Sequence, residues 1–379
     1  MSKPAPFPAQ TGPIQVEFRP ALPWEMESVE TPLAPLIRNA EASLVELRCG
    51  AVVVPMIIPD RSLKVDPRER CSVTCMESAS VGYVLDEWRR LNQPTRLMRM
   101  AANAIGAVSS CGPWRRAVQL GSLPFTTTLR SPEMEDAVWK ILPELRERMP
   151  DRPFIVRGIL DDKFPERLPE DGVKLPVWVD YRWDFSKGET PRSSHFKRDQ
   201  NQFRRSGLIV IEDEDFDESR VAEALHLYGL LYRHRHSLRN PDYSPEFIAM
   251  SRARGWLRLC GLVDPHSGRL LAFADRQATH GVSTDLLIGY DTTMDQKARL
   301  YRHLTAMLAE AALHRRLSLN LLSGAGEFKR LRGYLPVLER LVAFPALRGP
   351  RRWSDRMILD LTEKCTRKFN VESMIAAGG

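Results

Sequence analysis

The segment LLSGAGEFKRLRGYLP at residues 321–336 combines flexible backbone with concentrated charge. Small residues follow an apolar run there, and glycine lets backbone amides approach a ligand closely. Lys329 is a candidate for stabilising an oxyanion or holding a phosphate. Glu327 is a candidate base, or an ion-pair partner of the neighbouring cations. The segment therefore predicts a pocket wall, while an ordinary exposed loop has a similar composition.

Composition limits the class of protein. The 379 residues exceed one typical domain of roughly 100–200 residues, so two lobes are expected. The chain has no apolar run long enough to cross a bilayer, and prolines occupy the place of a signal peptide's apolar region. A cytoplasmic location is expected. The net charge of +7 suits nucleic acid, phosphate-bearing small molecules or solubility equally well.

The six cysteines are scattered through a chain too large to need disulfides, which favours reduced thiols. Cys71 and Cys75 are the one close pair, and the sequence places no histidine near them to complete a zinc site. No metal site is expected.

Hydrophobic periodicity predicts a mixed α/β chain. In the first half, helices are predicted at 95–108 and 132–148, and strands at 43–58 (broken near Cys49), 71–84, 117–129, 153–159 and 177–185. In the second half, helices are predicted at 219–232 and 300–311, and strands at 208–212, 256–263, 269–277, 282–290 and 317–322. Ser131 and Pro132 are typical of the start of a helix.

The order of these elements, with GYDTTMDQKARLYRHL (289–304) and SGAGEFKRLRGYLP (323–336), resembles the double-domain branch of the GNAT superfamily, which includes Fem-type aminoacyl transferases and CelD-like acyltransferases. The basic stretch 198–207 resembles the helix between the lobes of that branch. The resemblance implies two tandem GNAT-like lobes, each a mostly antiparallel sheet flanked by helices. The expected divisions are a disordered proline-rich lead-in at 1–25, a first lobe at 26–192, a connecting helix at 193–207 and a second lobe with the active site at 208–379.

The resemblance further implies an N-acyltransferase that moves an acyl group from a thioester carrier, acyl-CoA or an acyl carrier protein, to a primary amine. The carrier is a co-substrate, and no tightly bound cofactor is expected. The superfamily's phosphate motif has small residues where this sequence has Arg299 and Tyr301, while Gln296 matches. Arg299 and Arg302 are therefore expected to supply the anion contact, and a solvated helix face is the alternative.

Fem-type proteins have a similar Phe-Lys step after a strand, which implies a catalytic role for Lys329 with Phe328 packing inward. Substrate contacts are assigned to Ser323, Gly324, Phe328 and His234. The candidates for proton transfer are Asp291, Tyr290, Glu327 and Tyr301. His234 lies in a basic stretch that is either a loop closing over the cleft or an exposed helix end.

Two alternatives remain open from the sequence. One is a Fem-type transferase that takes its acyl group from aminoacyl-tRNA, which the basic composition and the altered phosphate motif favour. The other is a catalytically silent binding protein on the same scaffold.

Overall fold

The computed structural model describes residues 28–60, 65–79, 113–128, 130–160, 169–295 and 298–368. The first half contains β1 (Ser28–Pro32), β2 (Ala42–Cys49), β3 (Val52–Pro59), β4 (Val118–Leu120), α1 (Pro132–Arg148), β5 (Phe154–Leu160) and β6 (Val173–Asp184). The second half contains α2 (Ser194–Arg204), β7 (Ile209–Ile211), α3 (Glu218–Tyr228), α4 (Pro245–Ala253), β8 (Leu259–Val263), β9 (Leu270–Asp275), β10 (Ala278–Thr279), β11 (Val282–Thr284), β12 (Ile288–Tyr290), α5 (Leu300–His314), β13 (Ser318–Asn320), α6 (Gly326–Leu331), β14 (Leu335–Phe344) and α7 (Arg352–Lys368). The predicted mixed α/β class is confirmed.

Local sequence explains several of these elements. β2 and β3 are antiparallel runs rich in branched apolar residues, and they are joined at Gly50, whose φ of 62° suits glycine. The α1 helix begins as predicted, because the Ser131 hydroxyl accepts a hydrogen bond from the Met134 amide and Pro132 occupies the first turn.

The strands form two sheets. The larger has the order β1-β2-β3-β4-β5-β14-β6-β13-β11-β10, and the smaller has the order β12-β9-β8-β7. Most neighbours are antiparallel, and two parallel pairs, β4 with β5 and β11 with β13, follow helical crossovers. Strands from both halves therefore share the larger sheet.

The last strand of each half is exchanged. β5 pairs with β14 from the other half, and β6 pairs with both β14 and β13. Each half otherwise follows the same order: antiparallel strands, a crossover helix, one more strand parallel to an earlier one, and a final antiparallel strand. The division of the chain at 193–207 stays a prediction, because the shared sheet joins the two halves.

One strand predicted from the sequence is divided between the sheets, at a place that we call the fork (residues 285–287). Val282, at the start of β11, pairs with Ser318 of β13 in the larger sheet. Six residues later, Ile288 begins β12, which pairs with β9 in the smaller sheet. The predicted strand 282–290 thus bends away from β13, and a gap opens between β12 and β13.

Other expectations were wrong in detail. The described part of the predicted strand 71–84 is a turn and a short helical segment, in which the Cys75 and Ala79 amides bond carbonyls four residues back. The strand predicted at 117–129 is confined to β4, and the helix predicted at 219–232 changes after Tyr228 to a π-helical turn at Gly229–His234. The predicted helix 95–108 and the lead-in 1–25 lie outside the described residues.

Helices cover both faces of the larger sheet. Val138 and Leu142 of α1 pack against β2, β3 and β5, whereas Ile358 and Leu359 of α7 pack against the opposite side with Leu175 of β6. The α2 and α5 helices lie against each other beside the fork. None of the helices in the described ranges has the length and hydropathy needed to cross a membrane.

Candidate functional site

The fork brings a buried polar cluster to the place where the two sheets separate. Thr284 and Asp285 are both buried there. Asp285 Oδ1 and Thr284 Oγ1 have no hydrogen-bond partner among the described residues. Buried polar atoms are normally paired, so such atoms at a break in a sheet indicate a functional site.

Lys329 lies beneath the fork. Its Nζ donates to the carbonyl oxygens of Leu321, Leu322 and Ser323 at 2.7, 3.0 and 3.0 Å. The side chain is 1% exposed, and Nζ lies 5.6 Å from the centre of the Tyr181 ring. An ammonium group has three N–H donors, so all of them are occupied. In this arrangement Lys329 fixes the turn after β13 and supplies positive charge to the fork.

Two carboxyl groups share that charge. Burial raises the pKa of Asp285 to about 7, although Lys329 favours its ionised form. Burial also raises the pKa of Asp180 to about 6. Two groups oppose this shift: the Asn320 amide, which donates to Asp180 Oδ2 at 2.8 Å, and Lys329. Burial lowers the pKa of Lys329 to about 8, and the two carboxylates oppose that shift. Burial therefore favours the neutral form of all three groups, and the opposite charges of the cluster favour the ionised forms.

The buried charges continue away from the fork along the shared sheet. Burial raises the pKa of Glu339 on β14 to about 8, and the nearby Asp180 charge adds to this. Arg157 on β5 opposes the shift, while its guanidinium donates to the carbonyls of Thr126, Leu123 and Phe125. The fork is thus electrostatically connected to strands of the first half.

An aromatic wall borders the other side of the fork. The Tyr301 ring lies 5.9 Å from Tyr290 and 5.0 Å from Phe328, measured between ring centres. Burial raises the pKa of Tyr290, and raises that of Tyr301 well above its usual value. Both phenols therefore stay neutral at physiological pH and are poor bases. Tyr290 is only partly buried, so its hydroxyl remains a candidate proton donor.

Asp291 has a different environment from that of Asp285. Its Oδ1 accepts hydrogen bonds from the Thr293 amide and hydroxyl at 2.9 and 2.5 Å, and Arg269 lies 3.4 Å from Oδ2. Burial raises the pKa of Asp291, but these partners outweigh burial and the net pKa is lowered. A carboxylate so stabilised is a weak base, and its bonds fix the turn after β12.

The start of α5 carries the predicted anion contacts. Arg299 has a left-handed φ of 53°, and no side chain in the described part of the chain caps this helix end. Arg299 is exposed, while Arg302 lies 3.8 Å from Asp199, a buried carboxylate that also pairs with Arg332. Gln296 lies outside the described residues. A helix N-terminus beside two guanidinium groups favours anions.

The remaining predicted residues separate into two places. Ser323, Gly324 and Glu327 are exposed at the turn and first turn of α6, beside the fork. His234 is exposed at the end of the π-helical turn and lines a separate cavity. The structure therefore brings Lys329, Phe328 and the tyrosines of the wall together, but not His234.

Sequence reasoning missed Asp180 and Asp285. Each is a carboxyl residue inside an apolar strand pattern, LPVWVDYRW and VSTDLLIGY respectively. A charged residue at such a position is rarely buried without a partner, which is the signal that could have identified both.

No family model matches the chain, and no curated protein matches it in sequence. Solved structures with a similar course of the chain include FemX, at 9% identity and a TM-score of 0.42 over 90% of each chain. A tandem GNAT protein from the clavulanic acid biosynthesis pathway is similar at 12% identity and a TM-score of 0.38, over 82% of this chain and 83% of that one. L-PGS from Bacillus licheniformis is similar at 12% identity and a TM-score of 0.44, over 59% of this chain and 78% of that one. At this level of likeness, neither activity nor substrate follows.

Proposed function

We propose that the protein is an N-acyltransferase that moves an acyl group from a thioester carrier to a primary amine. The observation that carries the proposal is Asp285, at the point where β12 separates from β13. It is a buried carboxyl group with a pKa raised to about 7, and its Oδ1 has no partner among the residues that the structure describes. A general base is most effective when its pKa lies near the working pH, and the fork gives it a bordered space in which to act.

In the proposed reaction, the carrier's acyl thioester enters the gap between β12 and β13. Asp285, as the carboxylate, removes a proton from the substrate ammonium, and the free amine attacks the thioester carbonyl. The carbon–sulfur bond breaks as the amide forms, and the departing thiolate takes a proton from the neutral Tyr290 phenol, which is the proposed donor. The second proton of the attacking nitrogen then restores that phenol, so the products are a neutral amide and a thiol. Lys329 keeps Asp285 in a range where it can exchange protons and holds the turn that closes the fork.

The start of α5 is the proposed contact for the carrier's phosphates. The exposed Arg299 stands where the motif of the family it resembles has a small residue, and the half-exposed Arg302 lies three residues further on; both provide guanidinium groups. Affinity that depends on side-chain charge should decline with salt more than affinity that depends on backbone amides alone.

The test is a titration of acyl-CoA followed by an assay of thiol release with a panel of primary amines. We expect binding that weakens on substituting Arg299→Ala and Arg302→Ala together, and thiol release that requires the amine. The matched control is Arg348→Ala, because this arginine is 74% exposed and distant from the fork. If acyl-CoA binds the double variant as tightly as the wild type, α5 is not part of the carrier site.

The aminoacyl-tRNA alternative is separated by its salt dependence. A tRNA that makes several phosphate contacts should lose about 10³–10⁵ in affinity between 50 and 200 mM salt. A small thioester with one pyrophosphate should lose far less. Bulk aminoacyl-tRNA binding with the steep dependence, together with no acyl-CoA binding, would favour the alternative and contradict the thioester donor.

A further inference from the structure

A second concave surface, which we call the arginine pocket, lies apart from the fork. It has a volume of about 520 Å³, and the residues that line it include Arg68, Arg233, Arg239, His234 and His236. Small-molecule sites commonly have volumes of about 300–1,000 Å³. Residues of both halves contribute to it, since Arg68 belongs to the first and the others to the second.

The backbone around this pocket is fixed by buried asparagines. Asn39 Nδ2 donates to the carbonyls of Glu69, Leu238 and Asn240 at 2.8–3.2 Å. Asn240 Nδ2 donates in turn to the carbonyls of Tyr232 and Ser237 at 3.0 and 3.1 Å. Both asparagines are 4% exposed. The two loops that form the pocket are therefore held in place before any ligand arrives, which reduces the entropy lost on binding.

The π-helical turn shapes one side of the arginine pocket. The Ser237 amide donates to the Tyr232 carbonyl, five residues back, at 2.9 Å. This wider turn ends with His234 and directs the following residues toward the first half, where the Arg239 guanidinium donates to the Pro67 carbonyl at 2.7 Å. Single π-helical turns are frequent at functional sites.

The charged side chains among the residues that line the pocket are all basic. No carboxylate lines it among the described residues. Asp242, which is not among the lining residues, lies 3.4 Å from Arg233, and Asp66 Oδ1 accepts a hydrogen bond from the Arg68 amide at 2.8 Å. Arg68 itself is exposed, and the Arg239 guanidinium donates to the neutral carbonyl of Pro67. Guanidinium groups converging on a cavity match phosphate and carboxylate oxygens.

We propose that the arginine pocket binds a small molecule bearing a multiply charged oxyanion, a phosphate or grouped carboxylates, at a site separate from the carrier contact at α5. The Tyr232 ring lies 6.0 Å from the His236 ring and packs against the same buried cluster as Tyr290 and Tyr301. A ligand in the pocket would therefore lie beside the aromatic wall. The proposal does not depend on the acyltransferase proposal, because it concerns binding alone.

The experiment is calorimetric titration of the full chain with inorganic pyrophosphate and, separately, with citrate. The variants are Arg68→Ala/His234→Ala in the pocket and Arg299→Ala/Arg302→Ala at α5, with Arg348→Ala as the control. All three pocket-test variants alter exposed or half-exposed side chains, and thermal melting verifies that each is folded. We expect pyrophosphate or citrate to bind the wild type with an affinity that weakens as salt increases.

The pocket variant should weaken this binding by about tenfold or more, the effect of losing one charge-assisted hydrogen bond. The α5 variant and the control should retain it. Preference for pyrophosphate identifies a phosphate ligand, and preference for citrate identifies a carboxylate ligand. Binding that is lost in the α5 variant but kept in the pocket variant would overturn the proposal, as would the absence of binding by either anion.

Discussion

Replacing Lys329 with methionine separates two roles for this residue. The substitution keeps an unbranched side chain of similar length but removes the charge and all three N–H donors. The carbonyl oxygens of Leu321, Leu322 and Ser323 then lose their partner. If Lys329 holds the fork together, the protein should lose stability. If it contacts substrate instead, the protein should lose activity while it stays as stable as before.

The size of the effect follows from the contacts. A hydrogen bond from a charged donor contributes about 1.5–3 kcal/mol, so three contribute on the order of 5–9 kcal/mol. The lowered pKa of Lys329 means that burial already costs its charged form on the order of 3 kcal/mol, which methionine recovers. The net loss is about 2–6 kcal/mol, similar to other broken buried charge clusters. At about 2–4 °C per kcal/mol, the melting temperature should fall by roughly 4–24 °C.

The assays are thermal melting and a pH series of the thiol-release reaction. Removing the positive charge should raise the pKa of Asp285 and Asp180 further, because Lys329 now lowers both. The acidic limb of the pH profile should therefore shift upward. Lys197→Met, at an exposed position of α2, is the matched control and should change neither measurement. An unchanged melting temperature with a loss of about 10²-fold or more in turnover would refute this reasoning and return Lys329 to oxyanion stabilisation.

Three further outcomes are expected. Asp285→Asn should lower kcat/KM by about 10²-fold or more and abolish the activity limb near pH 7, and unchanged pH profiles would exclude Asp285 as the base. Burial raises the pKa of Asp275 to about 8, so the protonated carboxyl's contribution to stability is complete below pH 4 and is lost as pH rises through about 8. Asp275→Asn should therefore reduce the fall in melting temperature between pH 5 and 9. An equally steep fall in this variant would contradict the assignment. A fragment of residues 1–192 should show no cooperative melting alone, and should regain it when coexpressed with residues 193–379; an independent, cooperative fragment would show that β14 is dispensable.

Locally encoded elements could be predicted from the sequence. The α1 helix is an example. Ser131 and Pro132 signal its start, and the hydrogen bond that caps it joins Ser131 to Met134, three positions along the chain. The mixed α/β class and most strands of the second half followed from periodicity in the same way. These features depend on neighbours in the chain, which a single sequence displays.

The fork could not be predicted, because it depends on distant partners. The sequence of residues 282–290 predicts one continuous strand. The strand is divided because its first part pairs with β13 and its last part pairs with β9. The burial of Lys329 has the same origin: its own segment is rich in arginine and glycine, which favours exposure. The carboxyl groups that compensate its charge, Asp180 and Asp285, lie far away in the sequence. Local composition does not indicate which distant residues will lie together in the folded protein.

The exchange of final strands also sets the order in which the chain can be completed during synthesis. The edge of β5 is finished only by β14, at residues 335–344, nearly 200 residues after β5 itself has been made. At about 5–20 residues per second, the edges of β5 and β6 wait on the order of ten seconds or more for their partner. An unpaired strand edge is a template for wrong pairing during that interval. The first half is therefore the part of the nascent protein that most needs protection, even though it leaves the ribosome first.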